Sequence, residues 1–203
     1  MIDLYYANSG NSLRALIALE EGGSAFRGHK LDLLRNEHRT PEFLALNPVG
    51  AVPVMIDHRT DGEPIVLSQS GAIMLHVAER TGRLIPPDPR RRLAALQWFM
   101  LAVSDANPAS AALLYVGRDV PDATPATTAF LEGRLLNIMR GCETRLTGRD
   151  FLADELSLAD LALFPVVRMR RGLLEGAGGF DRLLGWADRI AALPSVIRAV
   201  GHL

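Results

Sequence analysis

Three short segments of this chain set small polar side chains at a strand-to-helix turn or beside a proline, an arrangement that can hold an anion or a peptide without a metal. The first is Asn8 to Ser12, "NSGNS", with the hydroxyls of Ser9 and Ser12 and the amide of Asn11 placed ahead of an apolar helical repeat. Free backbone N–H groups and the positive end of the helix dipole add to these donors. The loop lacks the lysine of a phosphate-binding loop and the spacing of a dinucleotide fingerprint, so phosphate is not its favoured anion. It contains no base, and therefore stabilises a charge that it does not create. A thiolate suits it. A free thiol of pKa about 8.5 is a few per cent ionised at neutral pH, and a hydrogen bond to the charged form contributes about 1.5–3 kcal/mol, enough to lower that pKa by about one to two units. The same three side chains also read as a plain helix cap.

The second segment is "LSQSGAI", Leu67 to Ile73. Gln69 offers an amide, Ser70 a hydroxyl, and the N–H groups of Ser70 and Gly71 open the next helix. A carboxylate there takes charge-assisted hydrogen bonds without an arginine, although Ser70 alone equally reads as an N-cap. The third segment is "AVPV", Ala51 to Val54. A proline cannot donate to a sheet ladder, so Pro53 at the head of a strand marks an edge or a turn. With a cis Val52–Pro53 bond, the N–H and C=O of Val52 face outward, where an extended peptide-like ligand can pair with them as an added strand.

The remaining reactive side chains point elsewhere. His29, His38, His58, His76 and His202 show neither the HExxH pattern nor close pairing, so the sequence carries no metal-site signal. Cys142, the single cysteine, sits in a helical pattern and reads as a small core residue. Ser157 and Asp160 have capping-box spacing, with Leu156 and Leu161 placed for a hydrophobic staple, and this pair is assigned to folding.

These segments need elements to hold them. "IDLYYA" reads as a strand, "LRALIALEE" as a helix, "FRGHKLDLL" as a strand and "TPEFLALN" as a short helix stopped at Pro48. "VPVMID" and "IVLSQ" read as two further strands about the turn "DGEP", and "SGAIMLHVAERTG" as a helix capped by Ser70 and stopped at Gly82. The order βαβαββα over residues 1–80 makes a small α/β domain, because a few short strands need helices to bury their faces. Pro, Gly and charge mark a linker over 81–89, and residues 90–203 carry helical spacing throughout, predicting an all-helical second domain.

With 48% hydrophobic and 22% charged residues, the chain can bury a core and is not expected to be disordered. A formal net charge of −1 lacks the basic surface that nucleic acid needs, and "PRRR" and "RMRRG" read as solvated helix faces. The sequence shows no export signal, and no stretch reads as long and apolar enough to span a membrane. With one cysteine, these features make the reducing cytoplasm the expected compartment.

Taken in order, "NPVGAVPVMID", "SQSGAI…ERTG" and "DELSLADLALFPVV" resemble the cis-proline segment, the glutamine- or glutamate-serine motif and the N-capping box of the soluble glutathione transferases. The resemblance covers essentially the whole chain. It implies a thioredoxin-like domain, a helical bundle, a homodimer, and glutathione as the bound thiol. It also implies that Val52 pairs with the cysteinyl backbone and that Gln69 and Ser70 hold the γ-glutamyl carboxylate. His38 matches a position where relatives often place a polar glutathione contact, and Asn11 and Ser9 match the sulfur contacts of the nu-class, disulfide-reductase-like branch; theta-like relatives likewise use a serine in this loop. The chain departs from the family at Ala51, where many relatives carry a polar residue. Tyr6 matches the catalytic tyrosine of other classes, but strand alternation lets only one of Tyr5 and Tyr6 face the site. The implied activity is attack of the glutathione thiolate on an electrophile or a disulfide. The alternative is a binding or regulatory protein that keeps the fold without turnover.

Overall fold

Alternation of Ile2, Leu4 and Tyr6 with Asp3 and Tyr5 gives β1 (Ile2–Tyr6) one sealed face: the first three side chains are buried and the other two half-buried. β1 pairs in parallel with β2 (Phe26–Lys30) and antiparallel with β3 (Val54–Asp57), and β3 pairs antiparallel with β4 (Ile65–Ser68). The order is therefore β2-β1-β3-β4. These elements come from a computed structural model that describes residues 1–59 and 61–203.

Two helices follow the strands that carry the polar turns. α1 (Gly10–Glu21) follows β1 and packs beside α3 (Ser70–Thr81), which follows β4. Leu13, Leu16, Ile17 and Leu19 of α1 and Ile73, Met74 and Val77 of α3 are buried at this contact layer and its surroundings. α2 (Pro41–Leu46) is short, capped by Thr40, and sets Phe43 edge-on to Tyr5 with ring centroids 6.1 Å apart. Gln69 occupies the cap position of α3 and Ser70 is its first helical residue, one step from the cap expected of Ser70.

Residues 1–84 and 192–203 form one compact unit, and residues 85–191 a second. The sequence boundaries put 192–203 with the helical domain. In the structure α10 (Pro194–Gly201) instead packs on α1, burying Val196 and Ala199. Its helical period is readable in the sequence, but the surface its apolar stripe meets is not. Arg198 pairs with Glu20 at 2.6 Å, and Ser195 donates to Glu21, at the polar margin of this contact.

The second unit contains α4 (Pro89–Met100), a π-helical turn (Leu101–Ala106), α5 (Asn107–Asp119), α6 (Pro125–Arg145), α7 (Leu158–Met169), α8 (Arg171–Ala177) and α9 (Asp181–Ala191). α7 is buried from Leu158 to Val167, as its nearly continuous apolar sequence requires. Its capping box is formed: Ser157 N–H donates to Asp160 Oδ2 at 3.1 Å, and Ala159 N–H donates to Ser157 Oγ at 3.3 Å. Asp160 also accepts from Leu152 N–H and Trp186 Nε1–H, each at 2.9 Å, so one buried carboxylate joins the start of α7 to the preceding loop and to α9. Burial pushes this carboxyl up, against hydrogen bonds that favour its charged form.

One helix runs against the expectation that no stretch is long and apolar enough to span a membrane. α4, the π turn and α5 run on as a single helix over Pro89–Asp119, 31 residues with mean hydropathy 1.2 in its most apolar window, long and apolar enough to cross a membrane by length and composition. Asp105 and Pro108 punctuate the sequence, but the π turn carries the helix through them: Asn107 N–H bonds Ala102 O, and this shift of the hydrogen-bond ladder falls directly before Pro108, which has no N–H to give.

Candidate functional site

Sheet register brings the three polar segments to one edge. Tyr5 lies opposite Val54 across β1 and β3, and Val54 lies opposite Ser68 across β3 and β4. Beyond this row, on the same side, β1 leads into Ala7–Ser9 and α1, Val52 and Pro53 lead into β3, and β4 leads into Gln69 and α3. β2 ends at the same edge, with Lys30 opposite Tyr6, and continues toward His38. Neighbouring strands lie about 4.8 Å apart, so the span from β1 to β4 is about 10 Å, the length of an extended tripeptide.

Ser9 caps α1. Its Oγ accepts from Ser12 N–H at 3.1 Å, and its hydroxyl donates to Ser12 Oγ at 3.0 Å, which also accepts from Ala7 N–H at 3.1 Å. Asn11 is exposed at the first turn, and its Oδ1 accepts from the Arg14 guanidinium at 2.7 Å. Burial lowers Arg14 to a pKa of about 10, so it stays charged at neutral pH. Neither α1 nor α3 has an acidic residue in its first turn, which leaves the positive end of each helix dipole uncompensated there.

The Val52–Pro53 bond is cis. The loop before it is held by Asn47, which is buried: its Nδ2 donates to Ala51 O at 2.7 Å, and its Oδ1 accepts from Val49 N–H at 3.2 Å. Gly50 has φ +64°, and a Cβ there would come within 3.0 Å of His38 O, so glycine lets the two loops approach. Arg39 completes the tie by donating to Val49 O at 3.0 Å. His38, next to Arg39, is half-buried, with an Nδ1 that is buried and has no hydrogen-bond partner. At the third segment Ser70 is buried, and exposed Gln69 has φ 77° and ψ 115°. A non-glycine residue in that region stores strain of about 1–3 kcal/mol, which clusters at ligand-binding positions.

The register thus gathers Ser9, Asn11, Val52, Gln69 and Ser70 at one edge, and the Arg39 tie brings the His38 loop to the cis-proline loop. A cavity of about 530 Å³ adjoins the first segment, lined by Ala7, Asn8, Lys30, Asp32, Leu33 and Glu37 among others. Its lining includes none of Val52, Gln69 or Ser70. Tyr6 stands apart: it is 6% exposed, and its hydroxyl donates to His202 O at 3.4 Å. Sequence reasoning did not single out Arg14, whose only local signal is its position one turn after Asn11. Among the described residues, no three His, Cys, Asp or Glu side chains converge as a metal site.

A four-stranded mixed sheet with its polar turns on one edge, a cis-proline at the head of β3 and a following helical unit define a thioredoxin-like domain joined to a helical one. Residues 4–79 match the glutathione S-transferase N-terminal domain and residues 109–194 the glutathione S-transferase C-terminal domain. The chain belongs to the glutathione S-transferase family. It is 30% identical over 203 residues to the disulfide-bond oxidoreductase YfcG of Escherichia coli K12, covering 98% of this chain and 94% of that protein. Among solved structures, a Burkholderia graminis glutathione transferase with two glutathione molecules bound per subunit is 30% identical, with TM-score 0.90 over 98% of this chain and 86% of that one. A Pseudomonas putida glutathione transferase with one glutathione disulfide bound per subunit is 27% identical, with TM-score 0.89 over 98% and 90% of the two chains.

Proposed function

We propose that this protein binds glutathione along the sheet edge and stabilises its thiolate, chiefly through Asn11 and with help from Ser9, for attack on a disulfide or another electrophile. The observation that carries the reading is the row Tyr5, Val54, Ser68, which aligns the three segments over a tripeptide's length. In this reading Val52 pairs with the cysteinyl backbone and Gln69 with Ser70 takes the γ-glutamyl carboxylate. His38, half-buried beside the cis-proline loop, supplies a further polar contact. The glutathione thiol loses its proton to solvent, and the donors hold the charge left on sulfur.

Similarity to a disulfide-bond oxidoreductase favours a disulfide as the second substrate. The bound thiolate attacks one sulfur of that disulfide, forming a mixed disulfide and expelling the other sulfur as a thiolate. A second glutathione thiolate then attacks the glutathione sulfur of the mixed disulfide, releasing the remaining substrate thiolate and leaving glutathione disulfide. A protein cysteine is not suited to that second step: Cys142 lies in α6, is fully buried, and burial pushes its thiol up to about 12. We further propose a cytoplasmic homodimer. Exposed Ile65 and Val66 on the edge strand β4 are apolar surface of the kind that a second copy covers.

The test is retention on immobilised glutathione, followed by turnover with hydroxyethyl disulfide and with a generic aryl halide. We expect retention, turnover of the disulfide, and a bound-thiol pKa below the free value of about 8.5. Retention without turnover of either substrate would support the non-catalytic alternative. Asn11→Ala should raise the bound-thiol pKa toward the free value, and an unchanged pKa would remove Asn11 from the mechanism.

A further inference from the structure

We infer that Arg14 is a positioning residue that fixes which end of the Asn11 amide meets the sulfur. The inference rests on Asn11 being the principal thiolate donor. An asparagine amide has an acceptor oxygen at one end and two N–H donors at the other, and rotation about its last torsion exchanges the two. The wrong end would set Oδ1 against a thiolate, and repulsion would replace a hydrogen bond. A guanidinium offers donors only, so the end of Asn11 that it holds must be the oxygen.

That is the contact observed, with Arg14 Nη1 donating to Asn11 Oδ1 at 2.7 Å. The two residues are three apart on α1 and therefore share a helix face. Their burial differs in the sense the role requires. Arg14 is 1% exposed, so its guanidinium is held by the core, while Asn11 lies at the exposed rim where a ligand can reach it. Because the amide is planar, anchoring Oδ1 toward Arg14 turns Nδ2 to the opposite side. A buried cation bonded to the amide oxygen also draws electron density from the Nδ2–H bonds, and in low dielectric such a chain of hydrogen bonds is cooperative. Arg14 thereby lends part of its charge to the site without touching glutathione.

The experiment compares the wild type with Arg14→Met, Arg14→Lys, Asn11→Ala and the Arg14→Met/Asn11→Ala double variant. The pKa of bound glutathione is read from its ultraviolet thiolate band, and affinity for S-methylglutathione, which has no ionisable thiol, is measured beside it. Arg14→Met should raise the bound-thiol pKa by about half to one unit while changing S-methylglutathione affinity less than about twofold. Arg14→Lys, which keeps a donor-only cation, should stay within about 0.3 units of the wild type, and Arg14→Met should add nothing in the Asn11→Ala background. An unmoved pKa in Asn11→Ala overturns the assignment of Asn11 and this inference with it. A shift in Asn11→Ala with none in Arg14→Met overturns the inference alone, as does an equal Arg14→Met shift in both backgrounds. If Arg14→Met does not fold, the wild type decides. The Asn11 side-chain amide protons should move downfield in nuclear magnetic resonance spectra as bound glutathione ionises, and no movement overturns the inference.

Discussion

Ser9 and Ser12 bond each other twice, Ser12 N–H donating to Ser9 Oγ at 3.1 Å and the Ser9 hydroxyl donating to Ser12 Oγ at 3.0 Å. The Ser9 proton is thus engaged in the helix cap, and offering it to a thiolate means giving up that bond. Ser9→Ala should cost about 0.5–2 kcal/mol of stability, as the loss of a serine cap does. It should move the bound-thiol pKa less than Asn11→Ala does. Urea unfolding and ultraviolet titration of the same preparations check both statements, and an equal pKa shift would make the serine a donor of the same rank.

Gln69 holds its backbone at φ 77°, a conformation that costs a non-glycine residue about 1–3 kcal/mol. Gln69→Gly relieves the backbone and removes the side-chain amide together. The variant should unfold at a higher midpoint than the wild type while binding glutathione about ten- to a hundred-fold more weakly, the loss of one hydrogen bond to a charged group. Thermal melts without ligand and calorimetric titration with it separate the two effects.

Asp57 gives a pH prediction. Its buried carboxylate accepts from Arg59 Nε at 2.9 Å, Arg59 Nη2 at 3.0 Å, Arg59 N–H at 2.9 Å, and His76 Nε2 at 2.9 Å. The Arg59 bonds first, and His76 after them, hold the carboxyl well below the usual carboxylate range in spite of burial. A depressed folded-state pKa contributes stability that is fully present above the unfolded value of about 3.9 and is lost as pH falls below it toward the folded value. The stability difference between wild type and Asp57→Asn should therefore be largest near neutrality and narrow below about pH 4. Chemical unfolding at a series of pH values measures it directly.

Cys142 should be silent in the reaction. Its thiol is fully buried and pushed up to about 12 by desolvation, so the reactive thiolate is not formed. We expect no reaction of the native protein with an aromatic disulfide reagent at pH 8, one thiol released on unfolding, and unchanged hydroxyethyl disulfide turnover in Cys142→Ala. Loss of that turnover in a folded Cys142→Ala protein would return the cysteine to the mechanism.

Much of the first unit was legible because its signals are local. The alternation in Ile2–Tyr6, the small polar loop before α1, the proline before β3 and the serine opening α3 each lie within a few residues of the element they specify. The Ser157 and Asp160 cap was readable for the same reason, being a spacing of three. What was not legible depends on residues distant in sequence. Asp160 also receives Trp186, 26 positions away, and no local pattern announces that bond. Arg14 in a helix reads as a solvated charge until the packing around α1 is known. The left-handed backbone of Gln69 has no sequence signature, because glycine and asparagine are the residues that normally advertise it. β2 likewise stops at Lys30, short of the apolar "LDLL" that extended its sequence pattern, because Leu31 to Leu34 turn away toward the next helix.

The packing of α10 on α1 also fixes an order of events during synthesis. Glu20 and Arg198, which pair at the edge of that contact, are 178 residues apart. A ribosome therefore releases α1, with the Asn8–Ser12 loop at its head, long before the helix that packs on it. Every residue of the second unit is translated in between. A chain stopped anywhere before Pro194 would carry α1 with part of its apolar cover still missing. The unit whose first residue is translated earliest is in this sense also the one completed last.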